Sequence, residues 1–259
     1  MVHLKTKEEI EQLRASNLLV SRTIAEVAKF IGPGVTTLRL DRIAEQFIRD
    51  NGAEPGFLGY SGYPGTLCTS VNQQVVHGIP SAYVLKEGDI ISVDCGVLYN
   101  GYYGDSAYTF AVGEIEEPVK SLLRTTKESL FRAVGQAMAG KRIGDISYAV
   151  QSYCEKEGFS IVRELVGHGI GKNLHEQPEV PNYGKRGQGL RLQKGLVICI
   201  EPMVNMGKRE IVHSSDGWTV STADHMPSAH FELCVAVGEN GPDVLSTFGF
   251  IEEAYSNIV

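Results

Sequence analysis

The chain has few cysteines and no long apolar run. Its five cysteines among 259 residues include no Cys-x-x-Cys pair. This predicts free thiols in a reducing cytoplasm and argues against a disulfide scaffold. No stretch approaches the roughly 20 apolar residues of a transmembrane helix, and the first residues lack the apolar core of a secretory signal. We therefore expect a cytoplasmic protein without a membrane anchor.

Basic charge is also scarce. The chain has 24 Lys and Arg against 31 Asp and Glu, for a net charge of −7. This balance leaves no basic footprint for direct binding of nucleic acid. No linker or low-complexity segment divides the chain, whose length fits one large domain or two small ones. Thr6 to Glu9 predicts a capping box at the start of a helix.

The chain repeats itself. Spans 34–52 and 140–158 begin and end with glycine, and their apolar positions match at an offset of 106 residues. Both follow the rhythm of a helix with one buried face. The offset extends upstream to 24–31 and 130–137, so two helices of the first half recur in the second. Two long copies favour a duplicated domain with pseudo-two-fold symmetry over a solenoid.

Each half also carries two acidic residues at strand ends. Asp94 and Glu201 end apolar runs six residues after a glycine, and Asp105 and Glu232 begin the next runs. An Asn-Gly turn between Asp94 and Asp105 predicts a β-hairpin that sets these two carboxylates opposite each other. Four carboxylates in one apolar centre require cations, and two divalent ions would neutralise them. For Asp105 taken alone, a solvated turn position is the favoured alternative.

A glycine-rich segment, 165–175, contains His168 and His175. It fits neither a helix nor a strand, and its glycines allow unusual backbone conformations and close approach of a ligand. A neutral imidazole is the commonest metal ligand and a general acid or base near neutral pH. Two incidental histidines in a surface loop are the alternative for the segment alone. Together with the four acids, the segment favours a metal centre.

These residues and motifs closely resemble those of methionine aminopeptidases over essentially the whole chain. The motifs that carry the resemblance are Gly62-Tyr-Pro, Val76-His-Gly-Ile-Pro80, Val93-Asp-Cys-Gly96, Gly104-Asp-Ser, Gly167-His-Gly-Ile-Gly171, Ile200-Glu-Pro202 and Asp216-Gly-Trp-Thr-Val220. The resemblance implies the α/β (α+β) pita-bread fold, duplicated around a dinuclear metal site. We expect one catalytic domain, 1–259, with halves of about 1–117 and 118–259. The gap of 25 residues between His175 and Glu201 is too short for the helical insertion of type II enzymes. A short, bacterial-style type I form without an N-terminal extension is therefore implied.

The resemblance also implies the reaction: removal of the first methionine from nascent proteins when the second residue is small, with a metal-activated water attacking the first peptide bond. Five metal ligands are implied, namely Asp94, Asp105, His168, Glu201 and Glu232. Asp105 and Glu232 would bridge the two ions, and Glu201 would also shuttle the proton of the water. His77 and His175 would be catalytic and contact the substrate. The implied methionine pocket is lined by Tyr60, Tyr63, Cys68, Leu174 and Trp218, the only tryptophan.

The implied cofactors are two divalent ions, with Mn, Fe, Co, Zn and Ni all open, and a monovalent cation near Asn72 and Ser228. Implied partners are nascent polypeptide N-termini and, transiently, the ribosome, and a monomer is the family expectation. Two positions depart from the family pattern. Position 174 is Leu where an aromatic residue is usual, and position 233 is Leu where type I enzymes usually have His. Neither change removes a ligand.

Two other functions compete with this interpretation. An Xaa-Pro aminopeptidase or dipeptidase of the same fold would cleave before proline, and the chain length and the Gly62-Tyr-Pro segment speak against it. A non-catalytic binding relative is the alternative from another class. It would be expected to lack ligands and to carry basic extensions. The sequence has neither feature, and intact site chemistry is stronger evidence than fold.

Overall fold

The computed structural model describes residues 2–255. The predicted domain also includes residues 1 and 256–259, which lie outside the described residues. The helices in the described range are α1 (Lys7–Ala28), α2 (Thr37–Asp50), α3 (Glu117–Val134), α4 (Ile143–Lys156) and α5 (Gly249–Tyr255). The strands in this range are β1 (Glu54–Pro55), β2 (Leu67–Val71), β3 (Gln74–Val76), β4 (Ile90–Tyr99), β5 (Tyr102–Ala111), β6 (Ser160–Ile161), β7 (Gly167–Gly169), β8 (Glu176–Val180), β9 (Val197–Ile200), β10 (Met203–Asn205), β11 (Ile211–His213), β12 (Val220–Thr222), β13 (Ser228–His230), β14 (Leu233–Val237) and β15 (Pro242–Val244).

The two helix pairs repeat as the sequence predicts. Helices α2 and α4 begin at residues 37 and 143, and α1 and α3 end at residues 28 and 134, so each pair differs by 106. The side chains that α2 and α4 bury in the core follow the same offset: Leu40, Ala44 and Ile48, and Ile146, Val150 and Cys154. The predicted capping box is also present, with the Thr6 hydroxyl accepting from the Glu9 N–H and the Glu9 carboxylate accepting from the Thr6 N–H.

Strands β4 and β5 form the predicted hairpin. Asn100 and Gly101 connect them with φ of +52° and +78°, the positive pair that a type I′ turn requires. Strands β1 and β2 pair with β4 in the same sheet. In the second half, β14 and β9 pair antiparallel, with Leu233 opposite Ile200, in a five-stranded sheet of order β15-β14-β9-β7-β8. Each half therefore contributes an antiparallel pair with carboxylates at corresponding places.

The two sheets meet at Glu232. Its N–H donates to the carbonyl of Ala107 over 2.9 Å, and its own carbonyl accepts from the Ser106 hydroxyl over 2.7 Å. Helix α1 packs on β4 and β5, and α3 packs near β13, β14 and β9. The strands with carboxylates thus lie side by side, with α1 packed on those of the first half and α3 near those of the second.

The glycine-rich segment differs from its prediction. Gly167–Gly169 is a short strand, β7, between β8 and β9. A Cβ atom at Gly167 would lie 2.4 Å from the Cys199 carbonyl, and one at Gly169 would lie 2.4 Å from the Gln177 carbonyl. Glycine is required at these two positions because neighbouring backbone approaches closely, and neither glycine has the positive φ of an unusual loop conformation. Residues 185–189 form an exposed loop.

Helices of the described range are all too short or too polar to cross a bilayer. Within the same range all five cysteines are buried and free, as predicted. The architecture is α/β, also as predicted. The division into halves at about residue 117 falls at the start of α3, and the single-domain assignment stays a prediction.

Candidate active site

The five predicted ligands converge at the junction of the two sheets. They lie on, or one residue beyond the end of, strands that are adjacent in space in the order β4, β5, β14, β9 and β7, because Glu232 bridges β5 to β14. In that order the residues are Asp94, Asp105, Glu232, Glu201 and His168. Asp94 pairs with Ala107, and Asp105 pairs with Gly96. The two aspartates are therefore diagonal neighbours on one face of the hairpin, within the reach of their carboxyl groups.

His168 is oriented for ligation by its own backbone. Its Nδ1 lies 2.9 Å from the carbonyl of Gly169, and since a carbonyl only accepts, Nδ1 carries the proton and Nε2 has a free lone pair. That Nε2 lies 3.7 Å from Oδ2 of Asp105 and 3.7 Å from Oε1 of Glu201. Ligand atoms of Asp105, His168 and Glu232 lie within 4.8 Å of one another. An imidazole held in this way is a typical metal-binding arrangement.

Burial makes the cluster unfavourable without a counter-charge. Burial raises the pKa of Asp94 to about 7. Burial first, and then the charges of Glu232 and Asp94, raise the pKa of Asp105 well above its ordinary value. The pKa values of Glu201 and Glu232 are also raised well above theirs, first by burial and then by neighbouring carboxylates. Several like charges in so small a volume favour either protonation or a bound cation.

Orphaned oxygens show that a cation fits this site. Among residues 2–255, Oδ1 of Asp94, Oδ1 of Asp105 and Oε1 of Glu232 are buried with no hydrogen-bond partner. Buried polar atoms are nearly always paired, so three unpaired oxygens in one cluster favour a bound cation as their partner. An oxygen-rich set with one imidazole suits divalent ions such as Mn²⁺ or Fe²⁺. The donor set is therefore that of a divalent metal centre.

Two further histidines face the same cavity. His175 packs edge-on against His168 with ring centres 4.4 Å apart, and its Nδ1 lies 2.8 Å from the hydroxyl of Tyr60. His77 has a left-handed backbone, with φ of +60°, and its ring lies 6.5 Å from that of Trp218. Burial lowers the pKa of His77 to about 4, with His175 the next cause. Both predicted catalytic histidines thus border the carboxylate cluster, and His77 is neutral at physiological pH.

An apolar pocket adjoins the carboxylates. All five residues predicted to line a methionine pocket contribute to the cavity that contains the five ligands: Tyr60, Tyr63, Cys68, Leu174 and Trp218. Leu174 is 1% exposed, and Tyr63 packs edge-on against Trp218 with ring centres 5.1 Å apart. The cavity is therefore lined by carboxylates and by apolar and aromatic side chains.

The sequence prediction missed three residues of this region. Phe57 also lines the cavity, packed against Gly96, where a Cβ would lie 2.3 Å from the Phe57 ring. The buried Cys199 thiol lies among the ligand atoms, and the buried His230 has Nε2 3.8 Å from Oε2 of Glu201. The available signal was strand period, because Cys199 and His230 each stand two residues before a predicted ligand and so share its face.

The remaining predicted positions are also placed. The Ser228 N–H donates to the Asn72 carbonyl over 2.9 Å, so the two residues predicted to flank a monovalent cation are neighbours. Leu233 is 2% exposed and belongs to the main apolar core, whereas its neighbour Glu232 faces the cavity. The departure from the family pattern at position 233 thus lies on the opposite face from the metal centre.

Comparison with known proteins gives a consistent family assignment. Residues 11–239 match the model of metallopeptidase family M24. A methionine aminopeptidase of Clostridium acetobutylicum is 50% identical over 247 residues, which cover 95% of this chain and 99% of the relative. The chain belongs to metallopeptidase family M24. The resemblance to methionine aminopeptidases is confirmed.

Solved structures agree. The methionine aminopeptidase of Thermotoga maritima superposes with a TM-score of 0.94 at 43% identity, covering 95% of this chain and 100% of that chain. A prolidase of Pyrococcus furiosus superposes with a TM-score of 0.76 at 24% identity, covering 94% of this chain and 65% of that one. The prolidase shares the fold alone, and the predicted pita-bread fold is confirmed.

Proposed function

We propose that this chain is a metal-dependent methionine aminopeptidase that removes the first residue of newly made proteins when the second residue is small. The observation that carries the proposal is the lining of the cavity. Four carboxylates and His168 line it together with the apolar and aromatic side chains of Tyr63, Leu174 and Trp218. A methionine side chain matches such a pocket, because it is apolar, flexible and polarisable. The free amino group of the same residue would then lie beside the carboxylates.

Two divalent ions would lie among the carboxylates of the cavity. Asp94 and Asp105 would hold one ion, and His168 and Glu201 the other, with Asp105 and Glu232 shared between them. The orphaned oxygens of Asp94, Asp105 and Glu232 support this assignment. When bound, such ions supply a water of lowered pKa and polarise the scissile carbonyl. Mn²⁺, Fe²⁺, Co²⁺, Zn²⁺ and Ni²⁺ all suit the donor set, with the first two preferred.

The chain's own side chains move the protons and orient the substrate. Glu201 accepts the proton of the attacking water on a carboxylate oxygen and delivers it to the leaving amine nitrogen. His175 faces the carbonyl oxygen, where charge develops, and its orientation is set by Tyr60. His77 faces the scissile amide nitrogen from the other side of the pocket. His175 and His77 are the catalytic residues that touch the substrate besides the metal centre.

The substrates would be N-termini of nascent polypeptides, and we place the enzyme in the cytoplasm as a monomer, in transient contact with the ribosome. A small second residue is the selectivity that the resemblance implies. A monovalent cation beside Asn72 and Ser228 completes the proposal. Its support is the contact between these residues and the left-handed conformation of Asn72, with φ of +52°.

The proposal is tested by methionine release from the peptide Met-Ala-Ser. The enzyme is stripped with a chelator and reloaded with Mn²⁺, Fe²⁺ or Co²⁺, and release is measured before and after. We expect release only with metal, faster cleavage of Met-Ala-Ser than of Met-Lys-Ser, and no cleavage of Ala-Pro-Ser. Glu201→Gln is the inactive control. No release by folded, metal-loaded protein would overturn the proposal, and cleavage of Ala-Pro-Ser would assign an Xaa-Pro peptidase instead.

A further inference from the structure

His230 is fixed at the junction of the two halves by its main chain. Its N–H donates to the Thr109 hydroxyl oxygen over 3.0 Å, and its carbonyl accepts from the same hydroxyl over 2.6 Å. Thr109 lies on β5, and His230 ends β13. Because both backbone groups are bonded, the imidazole has little freedom beyond rotation about its own side-chain bonds. The residue is 2% exposed.

The imidazole of His230 faces the carboxylate that the proposed reaction uses. Its Nε2 lies 3.8 Å from Oε2 of Glu201. The other oxygen, Oε1, lies 3.7 Å from Nε2 of His168. Glu201 therefore lies between two imidazoles, with one carboxylate oxygen toward each.

Within residues 2–255, Nε2 of His230 has no hydrogen-bond partner. Buried ring nitrogens are normally satisfied, so this nitrogen is available to donate to a neighbouring acceptor. Oε2 of Glu201 is an acceptor that faces it. Shortening that separation to an ordinary hydrogen bond of about 2.7–3.2 Å needs only a small movement of either side chain.

We infer that His230 is a positioning residue for Glu201, whose Oε2 accepts a hydrogen bond from the Nε2–H of the neutral imidazole. The bond fixes the plane of the carboxylate. It directs Oε1 toward His168 and leaves the carboxylate oriented for transfer of the water proton. The inference rests on the proposed function, in which Glu201 is the proton acceptor. A partner that orients a ligating carboxylate commonly affects activity or metal affinity about 10- to 100-fold.

Two substitutions separate a donor from a packing role. His230→Gln retains an N–H donor at a similar distance from the backbone, and His230→Leu retains bulk without a donor. For metal-loaded protein we expect His230→Leu to lower kcat about 10- to 100-fold, with KM changed less than about twofold. His230→Gln should recover kcat to within about fivefold of the native chain. Metal content and melting temperature are measured for all three proteins.

A second readout does not depend on turnover. Metal-free protein labelled with ¹⁵N-histidine is examined by long-range ¹H–¹⁵N correlation, and the His230 signal is the one missing from His230→Gln. We expect the Nε2–H tautomer, with a shift that changes in Glu201→Gln.

Three results would overturn the inference: an Nδ1–H tautomer with a bare Nε2, loss of a metal equivalent in His230→Leu, which would make His230 a ligand, or equal kcat in the Gln and Leu variants. Absence of methionine release by the native chain would instead count against the proposed function. The tautomer experiment would still decide the contact with Glu201 in that case.

Discussion

The hydroxyl of Tyr60 lies 2.8 Å from Nδ1 of His175. The two rings also pack edge-on, with centres 5.3 Å apart. This contact occupies Nδ1 and leaves Nε2 of His175 for the substrate. The orientation of His175, which we propose to be catalytic, is therefore set from the first half of the chain, although His175 belongs to the second.

We expect His175→Ala to lower kcat/KM about 100-fold or more, as loss of a group that stabilises developing charge does. Tyr60→Phe should lower kcat/KM about tenfold, because the imidazole of His175 remains but is less well oriented. Metal content, measured by atomic absorption, should be unchanged in both. Near-full activity of His175→Ala would contradict the role assigned to His175. A Tyr60→Phe defect as large as that of His175→Ala would show that Tyr60 does more than orient His175.

Metal stoichiometry tests the proposed division of ligands. Calorimetric titration of stripped protein should give two equivalents, and Asp94→Asn and His168→Ala should each retain one tight site. Glu232→Gln should weaken both, because its carboxylate is shared. Glu179→Gln is the matched control, since Glu179 pairs with His168 across β7 and β8 but is exposed. A single equivalent in the native chain would contradict the dinuclear assignment.

The stability of the metal-free protein should fall as pH rises above about 6.5. Four buried carboxyl groups have raised pKa values, so the folded chain holds protons that the unfolded chain releases: Asp94, Asp105, Glu201 and Glu232. Their stabilising contribution is present at low pH and is lost as the pH rises through their pKa values in the folded state. For Asp94 this pKa is about 7.

Buried histidines act in the opposite direction, but only at lower pH. Burial lowers the pKa values of His77 and His168 to about 4, and that of His230 to about 3, from an ordinary 6.5. Their contribution is complete above pH 6.5 and is lost as pH falls. Above 6.5 the carboxyl groups therefore act alone. Melting temperature measured from pH 6.5 to about 8 should fall without metal and should fall less in Asp94→Asn. With metal, stabilisation should grow with pH, because ligands must be deprotonated. A flat profile without metal would contradict the shifts.

Leu174 is expected to determine the fit of the methionine side chain. Leu174→Ala should raise KM for Met-Ala-Ser about tenfold, the usual cost of a few missing methylene contacts in a pocket. Leu233→Ala is the matched control, because Leu233 is equally buried but packs in the main core. It should lower the melting temperature and leave KM unchanged. Equal KM values in the two variants would contradict a role of Leu174 in binding the methionine side chain.

The native thiols should be unreactive. All five cysteines are buried, and burial raises the pKa of Cys154 to about 12 and those of Cys68, Cys95 and Cys199 well above their usual value. The thiolate is the reactive species, so a thiol reagent should modify native protein slowly and five groups after denaturation. Fast modification of the native chain would indicate opening of the cavity at Cys68.

The repeated pattern of the sequence was sufficient for much of the fold, because helix period and glycine positions are local signals. Gly52 and Gly158 follow α2 and α4 with φ of +72° and +89°, as caps at helix ends should. The hairpin between Asp94 and Asp105 was equally readable from Asn100-Gly101. Strand β7 could not be predicted from the sequence, because its glycines are required by neighbouring backbone that comes close only in the folded sheet.

The same distinction applies to the site. The five predicted ligands share strand ends and a family motif, and all five reach one cavity. His230 was not predicted as a site residue because its place in the site depends on contact with Glu201, which comes from another part of the chain. Phe57 was not predicted as a site residue because its position depends on packing against Gly96, a distant residue in the β4–β5 hairpin. A single sequence carries no signal for either contact apart from strand period.

The bond between Glu232 and Ala107 has a consequence for the way the molecule opens. This bond lies at the seam, the line of contact between the four-stranded sheet of the first half of the chain and the five-stranded sheet of the second half. A cation shared by Asp105 and Glu232 would join the two sheets at this contact, because the sheets could separate here only after the cation is released. Ion release and separation of the halves would then be a single event. The seam amides of β5 and β14 should accordingly exchange with solvent together, and much more slowly once the ion is bound.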